Sequence, residues 1–271
     1  MRLFKKSTKY VILAVIFLIF SFPFLWLLST SLKGTEEVFA FPPKLLPSQP
    51  NVNNYLEVWK AAPFEKYFLN SIIISIISTL TNLIIASLSG FALAKLHFKF
   101  KGIFFLMVLS AMFLPREASV IPLYVITLNL GIADTLLGAS LPVAVEAFSI
   151  LMMRNAFLSI PDEIQEAAIV DGCGLFKLFY KIMLPMTFPT LTTICIFSFI
   201  GAWGDFLWPI IVLKSQENYT LQVGLSYMLG TFAGNFKYVA AGSILALIPV
   251  IAIFIFFQKY FEQGLFAGIG K

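Results

Sequence analysis

Apolar residues in this chain come in long unbroken runs rather than in stripes. Six stretches, near Tyr10–Leu32, Tyr67–Ala94, Ile103–Leu128, Leu136–Phe157, Leu184–Leu207 and Val239–Phe257, are predominantly apolar. Each has roughly the 20 residues a helix needs to cross about 30 Å of hydrocarbon. Lipid offers no partner to bare backbone N–H and C=O groups, so such runs are expected to be helices. Strands would alternate apolar and polar positions, and these runs do not. The pattern predicts an all-α polytopic membrane protein with six transmembrane helices, read as one domain over residues 1–271.

Composition agrees with a membrane solvent. The 271 residues are 59% hydrophobic and 12% charged, with a mean hydropathy of +0.90, whereas a soluble domain carries about 25% charge. Disorder is excluded as well, because 30 Phe, 9 Tyr and 4 Trp present more apolar surface than an unfolded chain leaves in water. The first run exceeds the roughly 7–15 residues of a signal-peptide core, so it is expected to stay attached although Val38-Phe39-Ala40 resembles a cleavage site. With six spans both termini share a side, and 12 of the 19 Lys and Arg fall on that side against 7 on the other. The positive-inside rule therefore predicts cytoplasmic N- and C-termini, and cytoplasmic segments 95–102 and 158–183. The net charge of +5 reflects those loops rather than bound nucleic acid. Two cysteines, Cys173 and Cys195, and one histidine, His97, supply neither a disulfide scaffold nor a metal-ligand set, and no cofactor is expected.

The longest polar stretch is the outer segment 33–66. There Phe41-Pro42-Pro43, Pro47 and Pro50 predict an extended surface arm rather than a helix. The outer segment 209–238 mixes Lys214, Gln216, Glu217 and Asn218 with apolar Leu221–Leu229 and reads as a partly interfacial loop. Asn218-Tyr219-Thr220 fits a glycosylation sequon, a pattern short enough to arise by chance.

The segment 158–183 is more specific. Ser159 is a potential N-cap, Pro161 fits a first turn, and Asp162 and Glu163 face the positive end of a helix dipole. Gly172 or Gly174 can end that helix in a left-handed residue, after which Leu175 starts a second helix running to Pro185. Ile164, Ala167, Ala168 and Asp171 fall at i, i+3, i+4 and i+7, so two alanines share one stripe that another surface could approach closely. Periodicity alone equally allows an amphipathic loop at the interface.

The string Glu166-Ala167-Ala168, Asp171-Gly172 and Ile182-Met183-Leu184-Pro185 resembles the EAA loop of ABC-transporter permeases, the membrane subunits of binding-protein-dependent importers. The likeness extends through Phe39-Ala40-Phe41-Pro42-Pro43, Asn54-Tyr55, Ile121-Pro122-Leu123-Tyr124 and Trp203-Gly204-Asp205-Phe206-Leu207-Trp208-Pro209. Together these are similar to the smaller, six-helix permease of the maltose-type carbohydrate branch. The resemblance implies an inner-membrane subunit of a prokaryotic importer that moves a carbohydrate, an oligosaccharide in the first instance. It implies four further partners: a second homologous permease, two copies of a cytoplasmic ATPase, and an extracytoplasmic solute-binding protein. Between spans four and five, a coupling helix would dock on the ATPase through Glu166, Ala167, Ala168, Asp171 and Gly172, with Leu175 and Phe176 as apolar anchors. Pro185 and Pro189 would soften the join to the fifth span. The chain departs from the family where Asn usually stands and Gly204 is found, and in a shorter glycine-rich tail within 258–271.

Intrinsic chemistry is sparse. Gly270-Lys271 is the nearest approach to a phosphate loop, but Leu265 holds the first glycine position and no Ser or Thr follows, so ATP hydrolysis is expected on a partner. His97 sits among Lys95, Lys99 and Lys101 as a solvated loop residue, and no catalytic triad is visible. Glu146 and Asp205 lie in or beside apolar spans, where a central carboxylate costs roughly 2.5–3.5 kcal/mol and calls for a partner or a wet cavity. Asp205, between Trp203 and Trp208, reads either as a structural cap or as a pathway or gate group, since aromatic faces stack on sugar rings and a carboxylate accepts hydroxyl hydrogen bonds. Glu146 reads as a hydrogen-bonded structural acid or a proton relay. Asn82, Asn70 and Asn155 could line a pore or bond between helices. An ABC permease for glycerol phosphate, a polyol or a peptide stays open. An ion-coupled secondary transporter would predict paired intramembrane charges and an internal repeat, neither of which is visible.

Overall fold

The computed structural model describes residues 2–231 and 236–267. Every regular element among them is helical. Two compact units share the chain, one of residues 1–65 and 223–249, the other of residues 66–222 and 250–271.

The first unit opens with α1 (Arg2–Ser31), whose membrane-length stretch exposes apolar side chains all round. Its C-terminus is closed by Asn54, whose amide donates to Ser31 O at 2.8 Å and Lys33 O at 2.9 Å, two carbonyls left without helical partners. Lys33 is buried, donates to Lys44 O at 2.6 Å and lies 4.4 Å over the Trp26 ring. The arm is not extended throughout. A short α2 (Thr35–Val38) and an amphipathic α3 (Asn53–Ala61) flank the proline-rich 39–52, and only that central stretch is irregular. Val58 and Phe64 are buried there, and a Cβ on Gly242 would come within 2.5 Å of Leu225.

The second unit is organised along α4 (Phe64–Lys95), an unbroken 32-residue helix. The third, fourth and fifth predicted spans are each bent pairs rather than single rods. α5 (Lys101–Ala111) and α6 (Arg116–Asn129) meet at 107°, α7 (Leu136–Val143) and α8 (Ala147–Leu158) at 51°, and α10 (Leu175–Met186) and α11 (Phe188–Gly204) at 77°. Among the described residues, three long apolar helices and these three pairs make up to six spans when each pair is counted as one.

Each break has an identifiable cause. Pro115 has no N–H and its ring would clash with the carbonyl four residues back, so α5 ends before it. At the fourth span Asn82 Oδ1 takes the Glu146 N–H at 3.1 Å, replacing the helical partner that N–H would otherwise need. At the fifth, Pro189 cannot donate to the preceding turn, and the Thr187 hydroxyl caps Leu184 O at 2.8 Å. Residues 178–183 within α10 are wound as a π-helix. The supposed loop 209–238 is also largely helical, comprising the end of α12 (Leu207–Val212), α13 (Leu221–Thr231) and the first turn of α14 (Phe236–Ala267). The last four residues of the predicted tail lie outside the described residues.

Candidate functional site

Between α8 and α10 the chain forms α9 (Asp162–Val170) on a tightly specified turn. Ser159 closes α8 instead of capping α9, its hydroxyl donating to Ala156 O at 2.7 Å. Pro161 occupies the N-cap position, with Asp162 and Glu163 in the first turn as the dipole favours. Of the two glycines that could stop the helix, Gly172 does so, with φ +75°. Gly172 N–H donates to Ile169 O at 3.0 Å and Cys173 N–H to Ala168 O at 2.9 Å, the paired bonds of a Schellman end. Gly174 is extended and starts α10.

The two alanines of the stripe part company. Ala168 is buried in a cluster with Phe91, Phe157, Phe179 and Met183, and Ile164 packs against it, whereas Glu166 and Ala167 are exposed. Beside them stand Ile169, Val170 (86% exposed), Leu175 and Phe176 (78% exposed), with Asp171 and Gly172 at the turn. Ile169 and Val170 were not singled out as anchors from the sequence. An exposed branched pair at the end of an otherwise polar helix was the available signal. Under the helix, Phe91 meets Phe157 edge-on at 5.5 Å and Phe179 at 5.1 Å. The ammonium of Lys95 reaches Ile160 O at 2.6 Å and Asp162 Oδ1 at 2.5 Å. That bond and charge hold the Asp162 carboxyl below its usual range.

At the other end of α4, the Asn70 amide donates to Glu217 O at 2.8 Å and Tyr219 O at 3.0 Å, so Asn70 is structural. Residues 70 and 95 stand about 38 Å apart at the helical rise, enough to bridge hydrocarbon. Segments near 95 and 160 therefore share one end of this unit and segments near 134 and 215 the other, an alternation that six crossings require. Asp134 joins its loop to 214–218 by accepting bonds from Lys214 N–H (2.8 Å), Ser215 N–H (3.0 Å) and the Ser215 hydroxyl. Desolvation pushes this carboxyl up, but those bonds and one from the Asn218 amide outweigh it and bring it to about 2. Asn218, the sequon asparagine, also donates to Asp134 O at 2.6 Å, so its amide is already engaged.

The interior candidates separate into structural and open groups. Asn82 is fully buried and uses its whole amide, donating to Ser149 and Ser198 hydroxyls and accepting from Glu146 N–H. Trp203 is buried, edge-on to Phe68 and stacked on Phe199. Trp208 is buried too and donates its indole N–H to Gly138 O at 3.0 Å. Both indoles are almost wholly covered by their neighbours. Asp205 ends α11 and pairs with Arg116 at 3.4 Å, on the wall of a cavity of about 200 Å³ that Glu117 and Trp208 also line. Arg116, at the break of the third span, was absent from the sequence candidates. Glu146, partly exposed at the N-terminus of α8, accepts from the Ser149 hydroxyl at 3.4 Å. Asn155 and His97 are exposed.

The family described as the inner membrane component of binding-protein-dependent transport systems matches residues 83–267. The chain belongs to this family. The permease is 35% identical over 254 residues to the arabinooligosaccharides transport system permease protein AraQ of Bacillus subtilis (strain 168), covering 93% of this chain and 90% of the relative. It is 32% identical over 252 residues to the melibiose/raffinose/stachyose import permease protein MelC of the same organism, covering 92% and 91%. A chain from the crystal structure of a bacterial ABC transporter involved in import of the acidic polysaccharide alginate matches with TM-score 0.84 at 27% identity, over 96% of this permease and 97% of that chain. The permease is thus a cell-membrane subunit of an ABC importer.

Proposed function

We propose that this permease imports a carbohydrate, an oligosaccharide in the first instance, as one half of a membrane pathway. A second homologous permease supplies the other half, two cytoplasmic ATPase copies drive it, and an extracytoplasmic binding protein delivers solute. Both termini and the segments 95–102 and 158–183 lie in the cytoplasm, as the lysine and arginine distribution favours. The permease itself is non-catalytic.

The observation that carries the mechanical reading is the rim of exposed Ile169, Val170, Leu175 and Phe176 around a glycine-fixed turn, beside Glu166 and Asp171. So much apolar surface on a rigid turn at a membrane face suits a protein partner, and the short helix delivers that partner's motion to the core beneath it. Ala168 contributes from inside, by tying the helix to that core. Closure of the ATPase dimer around ATP biases one of two membrane arrangements, and the bends in the third, fourth and fifth spans absorb the difference. Of the pathway candidates, Asp205 with Arg116 and Glu146 suit a wetted route, while Trp203, Trp208 and Asn82 support its walls. The substrate class rests on the relatives named for arabino-oligosaccharides and for melibiose, raffinose and stachyose.

Purification from the native membrane, with identification of the co-purifying chains, tests the assembly. The expected result is an ATPase, a second permease and a sugar-binding protein. In reconstituted vesicles Gly172→Pro and Glu166→Lys are expected to abolish substrate-stimulated ATP hydrolysis with expression intact. Solute uptake by this chain alone, with no ATPase present, would refute the reading. Uptake of glycerol phosphate or a polyol in place of sugar would revise only the substrate class.

A further inference from the structure

We propose that Lys95 is a positioning residue, the strut through which the docking loop drives α4, so that the loop and the end of α4 move as one body. This rests on the docking reading above and concerns where the delivered motion goes. The chain leaves α9 in two covalent directions, back into α8 and forward through α10 to the 77° bend at Thr187. α4 lies on neither short route, since Lys95 and Asp162 are 67 residues apart.

Lys95 closes that gap. Its side chain is only 3% exposed, and its ammonium donates to acceptors on both sides of Pro161: the Ile160 carbonyl at 2.6 Å and the Asp162 carboxylate at 2.5 Å. Two bonds from one buried donor fix a direction as well as a point, so α9 cannot swivel about Pro161 without breaking one of them. One turn earlier on α4, Phe91 enters the cluster that holds Phe157, Phe179 and Ala168. Lys95 is the polar corner of this block, and Asp162, 78% exposed, is its solvent side. An apolar side chain at 95 would hold by packing, which yields to a change of rotamer. An ammonium in a desolvated position demands acceptors throughout the motion, because a lost partner leaves a buried charge. Displacement of the loop therefore carries the cytoplasmic end of α4, and with it the Asn82 node nearly four turns away that meets α8 and α11.

The test uses the assembled transporter in vesicles with substrate-loaded binding protein. Lys95→Met is expected to keep the ATPase bound and basal hydrolysis intact, while stimulated hydrolysis and solute moved per ATP fall roughly 2- to 30-fold, the range for sites that carry coupling. Loss of docking would instead lose the ATPase on purification, which separates the two ideas. Asp162→Asn, at an exposed position, retains an acceptor and is expected to lose less than Lys95→Met. In a background lacking Cys173 and Cys195, Lys95→Cys with Asp162→Cys is expected to be uncoupled until a short bifunctional thiol reagent bridges the pair, and then to recover. Full stimulation and transport in Lys95→Met overturns the proposal. So does a bridged cysteine pair whose transport is unrestored or lower, and this arm decides the matter if Lys95→Met fails to assemble.

Discussion

Gly90 is the point at which α4 and α8 lie backbone to backbone, and a methyl group there should separate them. A Cβ built on Gly90 would sit 2.6 Å from Met153 Cβ and 2.8 Å from Arg154 N. Carbon atoms rest about 3.5–4.0 Å apart, so Gly90→Ala demands roughly 1 Å more between the helices. Neither obstructing atom is the tip of a flexible side chain. Met153 is fully buried, and the Phe91–Phe157 contact lies one residue along α4, so the strain enters the block beneath α9. Overpacking of this kind costs about 1–3 kcal/mol, and at about 2–4 °C per kcal/mol the detergent-solubilised permease should melt several degrees lower. Stimulated ATP hydrolysis should fall with it, since Phe157 and Ala168 share the strained core.

A second substitution makes the geometry decisive. Met153→Ala removes the thioether but keeps the Cβ, and the Arg154 backbone N stays in place, so it should not rescue Gly90→Ala. Thermal unfolding of the two single variants and the double variant checks this. A melting temperature for Gly90→Ala within a degree of the parent, or recovery in the double variant, would refute a backbone-limited crossing.

Asn82→Leu keeps the number and branching of the side-chain heavy atoms but orphans the Glu146 N–H and removes a donor to the Ser149 and Ser198 hydroxyls. A loss of about 1–3 kcal/mol is expected, and a change below about 0.5 kcal/mol, the size of a neutral surface substitution, would show that Asn82 does not hold the fourth-span break. Asp134 titrates near 2 when folded against 3.8 in its ordinary state. Its contribution is therefore complete above the unfolded value and is lost as pH falls through the folded one. The stability advantage of the parent over Asp134→Asn should shrink between about pH 5 and about pH 2, and a difference constant across that range would contradict the hydrogen-bonded account. Gly204→Asn places a polar side chain where a Cβ meets nothing within 4 Å. Expression and melting temperature should be unchanged, and a marked fall in either would mean that glycine is required there.

The segment 158–183 was legible where local chemistry decides structure and opaque where distant residues decide it. Gly172 could be read as a stop because a left-handed C′ residue is a one-residue requirement, and φ +75° is what glycine supplies. That Ala168 faces inward could not be read. A helical wheel says which residues share a stripe but not which stripe meets the core, and here the core is Phe91 and Phe157, contributed by other helices. Lys95 looked like one more cation in a basic loop for the same reason: its acceptors lie at 160 and 162. The tryptophan motif left a structural and a pathway reading open for the same reason: the sequence does not show that one indole donates to Gly138 O and the other packs among phenylalanines.

The spans carry the larger lesson. Hydropathy adds up residues and is blind to direction, so a run of limbs meeting at 107°, 51° or 77° reads as one rod. Pro115 and Pro189 marked two of the breaks, but the third is set by an asparagine 64 residues from the N–H it accepts. What did mark that third break was Glu146. An acid inside an apolar run is costly in a continuous helix, where every nearby N–H is already taken. At a break it stands on the positive end of a new helix, with orphan donors and the Ser149 hydroxyl at hand. Arg116 and Glu117 open α6, and Asp205 closes α11, so charges in these spans gather at helix ends. Ionisable residues inside the apolar runs of such a permease therefore mark where its helices begin and end, as Arg116 and Glu146 do at two of the bends.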